Sequence, residues 1–498
     1  MKAGHLSTNN LYIEAYKNRE VDFQYRKRTY TFSLSHGLFS SAGIDTGSRF
    51  LLKVFSDFLD SRYSGSIGCD SNNIRGAALP ITILDSGSGA GVLGICAAGA
   101  LSAIIQPEFR QSLPCGRAFQ VRAQDRDELA RLFTEYNAQR NGLKPEEFSA
   151  HTEPLLAGPG GWDFTLTNIP AKAGLPVLED FIRRSASLLK KDGRVFLVVV
   201  NTLADFFRSG IAAAAALIIE ETGKEHTVFV FGAPDSSASR GETKAVAGQD
   251  NSIILNENFP QSYPFYIRYK NEYEMGGISY SMDTVHGAPD FDSPGGAAAA
   301  SAKLALKIDL AGKLAARQAA WQTANCAGQA ELPAMIHDAG QGHFALWLAH
   351  YMAVQCPTST PPVLEPLVLS GRNIVALASA RAALSSHHNP EAGFPEISPA
   401  IIPCADIFLE RERLAADGKN FSFIAFFPET VPETSRQETD WEALSLLCAP
   451  GGMVFAGMSS MEAERFDRKK PAVFVRAGDV KRKGFRAMAY LKRQVELP

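Results

Sequence analysis

The stretch ITILDSGSGAGVLG, Ile81 to Gly94, changes character twice within one segment. An apolar, partly β-branched run ends on Asp85. Glycines follow at 87, 89, 91 and 94, and an Ala-rich apolar segment continues beyond them. The run predicts a buried strand, and the glycines a tight turn that lets backbone approach a ligand. The segment AGVLGICAAGALSAI predicts a helix.

Outward from this point the same alternation recurs. AFQVRAQD reads as a strand and RDELARLFTEYNAQRNG as a helix ending at Gly142. FSAHTE reads as a weaker strand. DFTLTN is a strand followed by the helix LPVLEDFIRRSASLL. RVFLVVVN is a strand followed by the helix TLADFFRSGIAAAAALI. HTVFVF and PFYIRYKN read as the closing strands, with the polar stretch Asp235 to Glu257 as the loop between them. Such alternation predicts an α/β fold, a doubly wound parallel sheet with helices on both faces. Ahead of it, LYIEAY and VDFQYRKRTYTFSL have strand character. The turn Ala42-Gly43 leads to Asp45-Thr46, which can cap a helix carrying Phe50, Leu51, Val54, Phe55 and Phe58 at helical spacing.

The 498 residues exceed one hydrophobic core, and about two or three domains are expected. Pro294 and the glycines after it interrupt the pattern, so the expected division is 1–295 for the first unit, 296–321 for a helical linker and 322–498 for the second. In the last part PAMIHD, NIVALASA, FSFIAFF, GMVFAGM and AVFVRAG read as strands, an alternation that suggests a tandem copy of one fold.

Three readings of the glycine turn compete. Gly89-Ala-Gly91-Val-Leu-Gly94 matches the dinucleotide fingerprint. A strand-ending acid followed by glycines suits S-adenosylmethionine (SAM), whose ammonium an acid attracts and pyrophosphate does not match. A ligand-free tight turn is the plain alternative. Asp125 ends the second strand, where a carboxylate can accept from both ribose hydroxyls. It could equally cap the helix behind it.

DFTLTNIPAKAG, Asp163 to Gly174, bears on the choice. In open α/β sheets ligands sit beyond the carboxyl ends of the strands. The Asn168 side-chain carbonyl and the Ile169 backbone carbonyl are two acceptors there, and Pro170 stiffens the peptide and brings no N–H. Two acceptors fixed about 3 Å from one point suit an exocyclic amine and turn its lone pair outward.

D-x-G-x-G-x-G, an acid after the second strand, and N-x-P-x-x-x-G together resemble the class I SAM-dependent methyltransferases of amino groups. They are most similar to the methyltransferase small domain family of small-subunit ribosomal RNA guanine-N2 enzymes, and GLFSSAGIDTGSRFLL resembles that family's lead-in. The resemblance spans roughly residues 30 to 205. It implies two Rossmann-like methyltransferase-type sheets in tandem. SAM is the implied cofactor, held by Asp85, Gly87, Gly89 and Gly91, with Asp125 on the ribose and Arg126 along the adenine edge. It implies that Asn168, Ile169 and Pro170 grip the acceptor amine, and it makes Lys172 a candidate phosphate contact, the plain alternative being a solvated loop lysine. The family pattern is Asn-Pro-Pro-Phe, whose aromatic stacks on the base. This chain has Asn168-Ile169-Pro170-Ala171, and Ala171 cannot stack.

The second half reads as a degenerate copy. Asp338, Gly340 and Gly342 are matched to Asp85, Gly87 and Gly89, and Phe426 to Asn168. Basic residues crowd the end of the chain, among them Arg476, Lys481, Arg482, Lys483 and Arg486, with Phe485 and Tyr490 between them. That pattern suits RNA contact or, equally, a solvated edge hairpin.

A net charge of -3 gives no global attraction to nucleic acid or lipid. Seven scattered cysteines with no C-x-x-C pair argue against a disulfide framework or a zinc site and fit a reducing cytoplasm. His387 and His388 lack ligand spacing, so no metal is expected. The apolar run Ile211 to Ile219 is too short for a membrane span. The expected partner is ribosomal RNA or the small ribosomal subunit. The alternatives are a non-catalytic SAM- or RNA-binding protein, and an amino-methyltransferase for adenine or a protein amide.

Overall fold

The computed structural model describes residues 8–63, 80–105, 118–234, 259–260, 263–290, 292–325, 332–338, 340–355, 364–387, 397–415, 420–429, 431–432 and 436–494. It divides into two compact units. The first comprises Met1–Leu255 with Val431–Glu433, and the second Asn256–Thr430 with Thr434–Pro498.

The first unit opens with helix α1 (Thr8–Tyr16), so LYIEAY is helical rather than extended. The hairpin β1 (Arg19–Tyr25) and β2 (Arg28–Leu34) follows, then helix α2 (Thr46–Arg62). Its seven-stranded sheet contains β3 (Ile81–Ser86), β4 (Phe119–Asp125), β5 (Phe148–Thr152), β6 (Trp162–Asn168), β7 (Leu189–Val200), β8 (Ala216–Thr222) and β9 (His226–Gly232). The spatial order is β5-β4-β3-β6-β7-β9-β8. β3 to β7 run parallel, and β9 is antiparallel to β7 and β8. The order reverses between β3 and β6, which opens a crevice at their carboxyl ends. Helix α3 (Val92–Ile104) leaves the glycine turn as expected. The segment read as one long helix stops at Ala214, and Ala216–Thr222 is the edge strand β8.

Packing fixes how α2 meets the sheet. Phe55 is fully buried and meets Phe164 of β6 and Phe196 of β7 edge-on, at centroid distances of 5.5 and 5.0 Å. Phe58 adds a second edge contact to Phe196 at 5.2 Å. Each such pair is worth roughly 0.5–1.5 kcal/mol beyond burial. The cluster sets the start of α2 against the end of β6.

The second unit begins with a hairpin, β10 (Ile267–Met275) and β11 (Ile278–Val285). PFYIRYKN therefore opens the second unit and does not close the first sheet. The polar stretch 235–257 lies outside the described residues. The contact division falls at Leu255 and Asn256, ahead of the expected 295. The expected linker holds the helix Gly296–Lys307, which packs on the strands Cys448–Ser459, Phe474–Arg482 and Phe485–Lys492 of the second sheet. That sheet is β12 (Ala334–His337), β13 (Leu367–Gly371), β14 (Ala400–Pro403), β15 (Phe421–Phe426), β16 (Cys448–Ser459), β17 (Phe474–Arg482) and β18 (Phe485–Lys492). Its order, β14-β13-β12-β15-β16-β18-β17, repeats that of the first sheet strand for strand. The chain is thus two Rossmann-like α/β sheets in tandem. NIVALASA is not a strand. Asn373 accepts from the N–H groups of Val375 and Ala376 and caps the helix Ile374–Ser385.

Among the described residues no helix is long and apolar enough to cross a membrane, and no group of three or more His, Cys, Asp or Glu could hold a metal. His388 lies outside the described residues.

Candidate active site

The glycine turn is held from below and from one side. Gly87, Gly89 and Gly91 have φ of 76°, 55° and 83°, left-handed values that side chains resist. The N–H groups of Gly87 and Ser88 both donate to the Gln124 carbonyl, at 2.9 and 3.0 Å. The Thr134 hydroxyl donates to the Gly89 carbonyl at 3.1 Å, and Asn137 Nδ2 to the Ala90 carbonyl at 2.9 Å. Nothing approaches within 4 Å of where a Gly89 side chain would stand, so the turn leaves open space there.

Asp85 lies beneath this turn and is fully buried. Its Oδ2 accepts from the Gly94 N–H at 2.8 Å, and a side chain on Gly94 would collide with it. Its Oδ1 has no hydrogen-bond partner among the described residues. Burial, with a smaller push from Asp125, raises its pKa to about 7 against the opposing Gly94 hydrogen bond. The sequence reading placed Asp85 directly on a ligand. In the structure it is first the support of the turn, with one buried oxygen left over.

Asp125 ends β4 half-buried. Its Oδ2 accepts from the Gly89 N–H at 3.0 Å and its Oδ1 from the Asp127 N–H at 3.1 Å. Burial and the neighbouring Asp127 raise its pKa. The helix cap read as an alternative role belongs to Asp127, whose side chain accepts from the Leu129 N–H. Asp125 therefore stands beside the glycine turn with its carboxylate tied to that turn's backbone. Arg126, next to it, is exposed.

Asn168 ends β6, half-buried. Its Nδ2 donates to Asp45 Oδ1 at 2.8 Å and to Ser48 Oγ at 3.2 Å. The same Asp45 oxygen accepts from the Ser48 N–H at 2.9 Å, the N-cap of α2. Both bonds engage Nδ2, and nothing among the described residues donates to Oδ1. Ile169 follows the last ladder pair, Asn168 with Val198, and its side chain is buried. Pro170 is exposed, and its carbonyl accepts from the Ala173 N–H in a short 3-10 turn, Ala171–Ala173. Ala171 and Lys172 are exposed.

Asp45 and Ser48 hold Asn168, and Thr134 and Asn137 hold the glycine turn, contacts that the motif reading did not assign. Thr134, Asn137 and Asn141 repeat at helical spacing along one face of the helix Glu128–Arg140 and its C-cap. Asn137 and Asn141 bond the backbone of β2 at Ser33 and Thr31, joining the hairpin to the glycine turn.

The ladders allow the two units to be matched residue by residue. The Asp338 N–H bonds the Ser370 carbonyl as the Gly87 N–H bonds that of Gln124. Asp338 therefore matches Gly87, Gly340 matches Gly89, and Gly342 matches Gly91; Asp85 matches Ile336. Strands β6 and β15 share one bulge relative to their neighbours, after Trp162 and Phe421. Asn168 then matches Phe427, correcting the expected Phe426. Asp125 matches Gly371. Residues 26–48 run alongside 276–298 without a gap, pairing His36-Gly37 with His286-Gly287, Asp45 with Gly295 and Ser48 with Ala298. Every polar group of the acceptor end is replaced by Gly, Ala or Phe. Asp338 keeps the left-handed turn at φ 53°, and its carboxylate accepts from the Arg372 and Glu429 N–H groups across the strand ends.

The C-terminal basic cluster is largely committed within its unit. Arg476 pairs with Asp467, Arg486 with Asp479, and Lys469 with Glu438. Tyr490 is fully buried, with its hydroxyl on Asp467, so it is no stacking surface. Lys481, Arg482 and Lys483 remain exposed at the β17–β18 turn.

The methyltransferase small domain model matches residues 29–208. Among solved structures, a T. Thermophilus 16S rRNA N2 methyltransferase in complex with AdoMet and guanosine aligns over 97% of this chain and 100% of its own, with TM-score 0.51 and 14% identity. The ribosomal protein L11 methylase of Lactobacillus delbrueckii subsp. bulgaricus aligns over 43% of this chain and 91% of its own, with TM-score 0.30 and 20% identity. No curated protein matches the chain.

Proposed function

We propose, from the premise that residues 29–208 form a methyltransferase small domain, that the chain is a SAM-dependent methyltransferase of an exocyclic amine, guanine N2 of ribosomal RNA, working in the cytoplasm on RNA or the small ribosomal subunit. The observation that carries it is the Asn168 amide at the carboxyl end of β6, whose nitrogen is engaged by Asp45 and Ser48 and whose oxygen is left as an acceptor.

The first unit's residues fit the cofactor. The open glycine turn accepts a close-lying ligand, the unpaired Asp85 Oδ1 beneath it attracts a cation, and the half-buried Asp125 carboxylate suits two ribose hydroxyls. Bound there, SAM supplies a methyl group on a sulfonium. Asn168 Oδ1 and the Ile169 carbonyl accept the two N–H bonds of the amine and aim its lone pair. With the methyl group supplied by SAM, the amine so held would lose its surplus proton to water, because an amide is too weak a base to keep it. Alignment supplies the rate. Lys172, exposed beside Pro170, contacts backbone phosphate.

Incubating purified protein with labelled SAM and ribosomal RNA, then resolving the nucleosides by mass spectrometry, tests this. N2-methylguanosine formed by the wild type and lost in Asn168→Ala is expected. Label in another nucleoside would reassign the substrate. Ala171 favours a rival reading, a protein that binds SAM or RNA without turnover. SAM binding with no incorporation into any RNA or protein would establish that rival.

A further inference from the structure

We propose that Phe39 is the stacking wall for the acceptor base, standing in for the aromatic that Ala171 does not supply. This rests on the functional reading above, because it needs a planar acceptor.

Phe39 is 73% exposed, the most exposed large hydrophobic side chain among the described residues. The loop holding it is rigid. Ser40 sits at φ 61°, and the Leu38 N–H donates to the Ser35 carbonyl. Asn18 Nδ2 donates to the Ser41 carbonyl and Arg19 to the Ala42 carbonyl. Asp45, which holds Asn168, ends the same loop.

The second unit shows where such a residue points. By the gapless match of 26–48 with 276–298, Phe39 corresponds to Pro289 and Ser40 to Asp290, and Asp290 has the same left-handed backbone, φ 58°. A cavity of about 310 Å³ lies at the strand ends of that unit. Its lining includes Pro289, Gly295, Ala298 and Phe427. These four match Phe39, Asp45, Ser48 and Asn168. The position of residue 39 therefore belongs to the wall of the space that Asn168 faces. In the second unit that wall includes Pro289 and the apolar Phe427, and in the first the matched positions carry an exposed aromatic ring and an amide acceptor. A ring and an in-plane acceptor together recognise a base with an exocyclic amine.

The test is steady-state methylation of protein-free small-subunit ribosomal RNA, and of guanosine, by wild type, Phe39→Ala and Phe39→Trp, with SAM binding followed by calorimetry. Loss of one base stack predicts kcat/KM lower by about 10- to 100-fold in Phe39→Ala, carried mainly by KM, with Phe39→Trp restoring it. SAM affinity stays unchanged in both. Equal kcat/KM in Phe39→Ala and wild type overturns the inference, as does a loss matched by an equal loss of SAM affinity. Wild-type protein that methylates neither substrate overturns the functional reading, and this inference with it.

Discussion

Asn168 Nδ2 lies 2.8 Å from Asp45 Oδ1, an oxygen that also accepts the Ser48 N–H and so caps helix α2. One carboxylate oxygen thus does two things, ending a helix and setting which way an amide faces. The two separate by substitution. Asp45→Ser keeps a capping oxygen but is too short to hold Asn168, so stability should stay near wild type while kcat falls. Asp45→Ala loses both and should also cost about 1 kcal/mol of stability. Denaturant midpoints and kcat measured on both variants check this. Equal kcat in Asp45→Ser and wild type would show that the tether does not orient the amide.

Asp125 is joined to the glycine turn through the Gly89 N–H and to its own loop through the Asp127 N–H. Removing the carboxylate takes away the candidate ribose acceptor and frees one amide of the turn. Hydrogen bonds to a charged group are worth about 1.5–3 kcal/mol each, so Asp125→Ala should weaken SAM binding by at least roughly tenfold. Calorimetry with SAM and S-adenosylhomocysteine should show the same loss for both, since the ribose is common to them. A loss confined to SAM would place Asp125 elsewhere.

The parts of the site that sequence made legible are those where backbone need and chemistry coincide. Gly87, Gly89 and Gly91 were legible because glycine is favoured at their left-handed φ, and Asn168 because an amide two residues before proline at a strand end is poorly explained by packing. Asp45 was legible as a cap but not as a partner of Asn168, since that contact exists through the burial of Phe55 against Phe164 and Phe196, which no local pattern encodes. The unit boundary was misplaced because the β10–β11 hairpin has the composition of closing strands. Its match to β1–β2 emerges from register, down to Tyr30 with Tyr280. NIVALASA misled because small and β-branched apolar residues buried all round carry no helical period.

Asp85 makes stability depend on pH in an unusual sense. Its folded pKa of about 7 lies above the unfolded value near 3.8. Between those values the native state holds a proton that the unfolded chain has released, so native stability falls as pH rises through that window. Asp85→Asn keeps an acceptor for the Gly94 N–H without the charge, so its stability should fall less from pH 4 to 7 and exceed wild type at the upper end. Asp440, raised to about 8 by burial and by Asp406, contributes alike to both proteins and cancels in the comparison. Parallel urea titrations across that range decide it. Identical slopes would mean that Asp85 is charged throughout, already neutralised by some cation.

The duplicated fold raises the question of how many nucleosides one chain binds. In the second unit Gly371 replaces Asp125, Ile336 replaces Asp85, and the Asp338 side chain occupies the strand-end loops by bonding Arg372 and Glu429. A nucleoside entering the cavity there would find no ribose carboxylate at position 371. Titration of the intact chain should therefore give one SAM per chain. Asp125→Ala should remove that site and expose no second one beneath it. Asn168→Ala should abolish methyl transfer outright, because Phe427 has no acceptor to offer. Phe427→Asn should not rescue it, since Gly295 and Ala298 cannot tie the new amide as Asp45 and Ser48 tie Asn168. A stoichiometry of two, or residual turnover in Asn168→Ala that Phe427→Asn increases, would mean that the second sheet still carries chemistry.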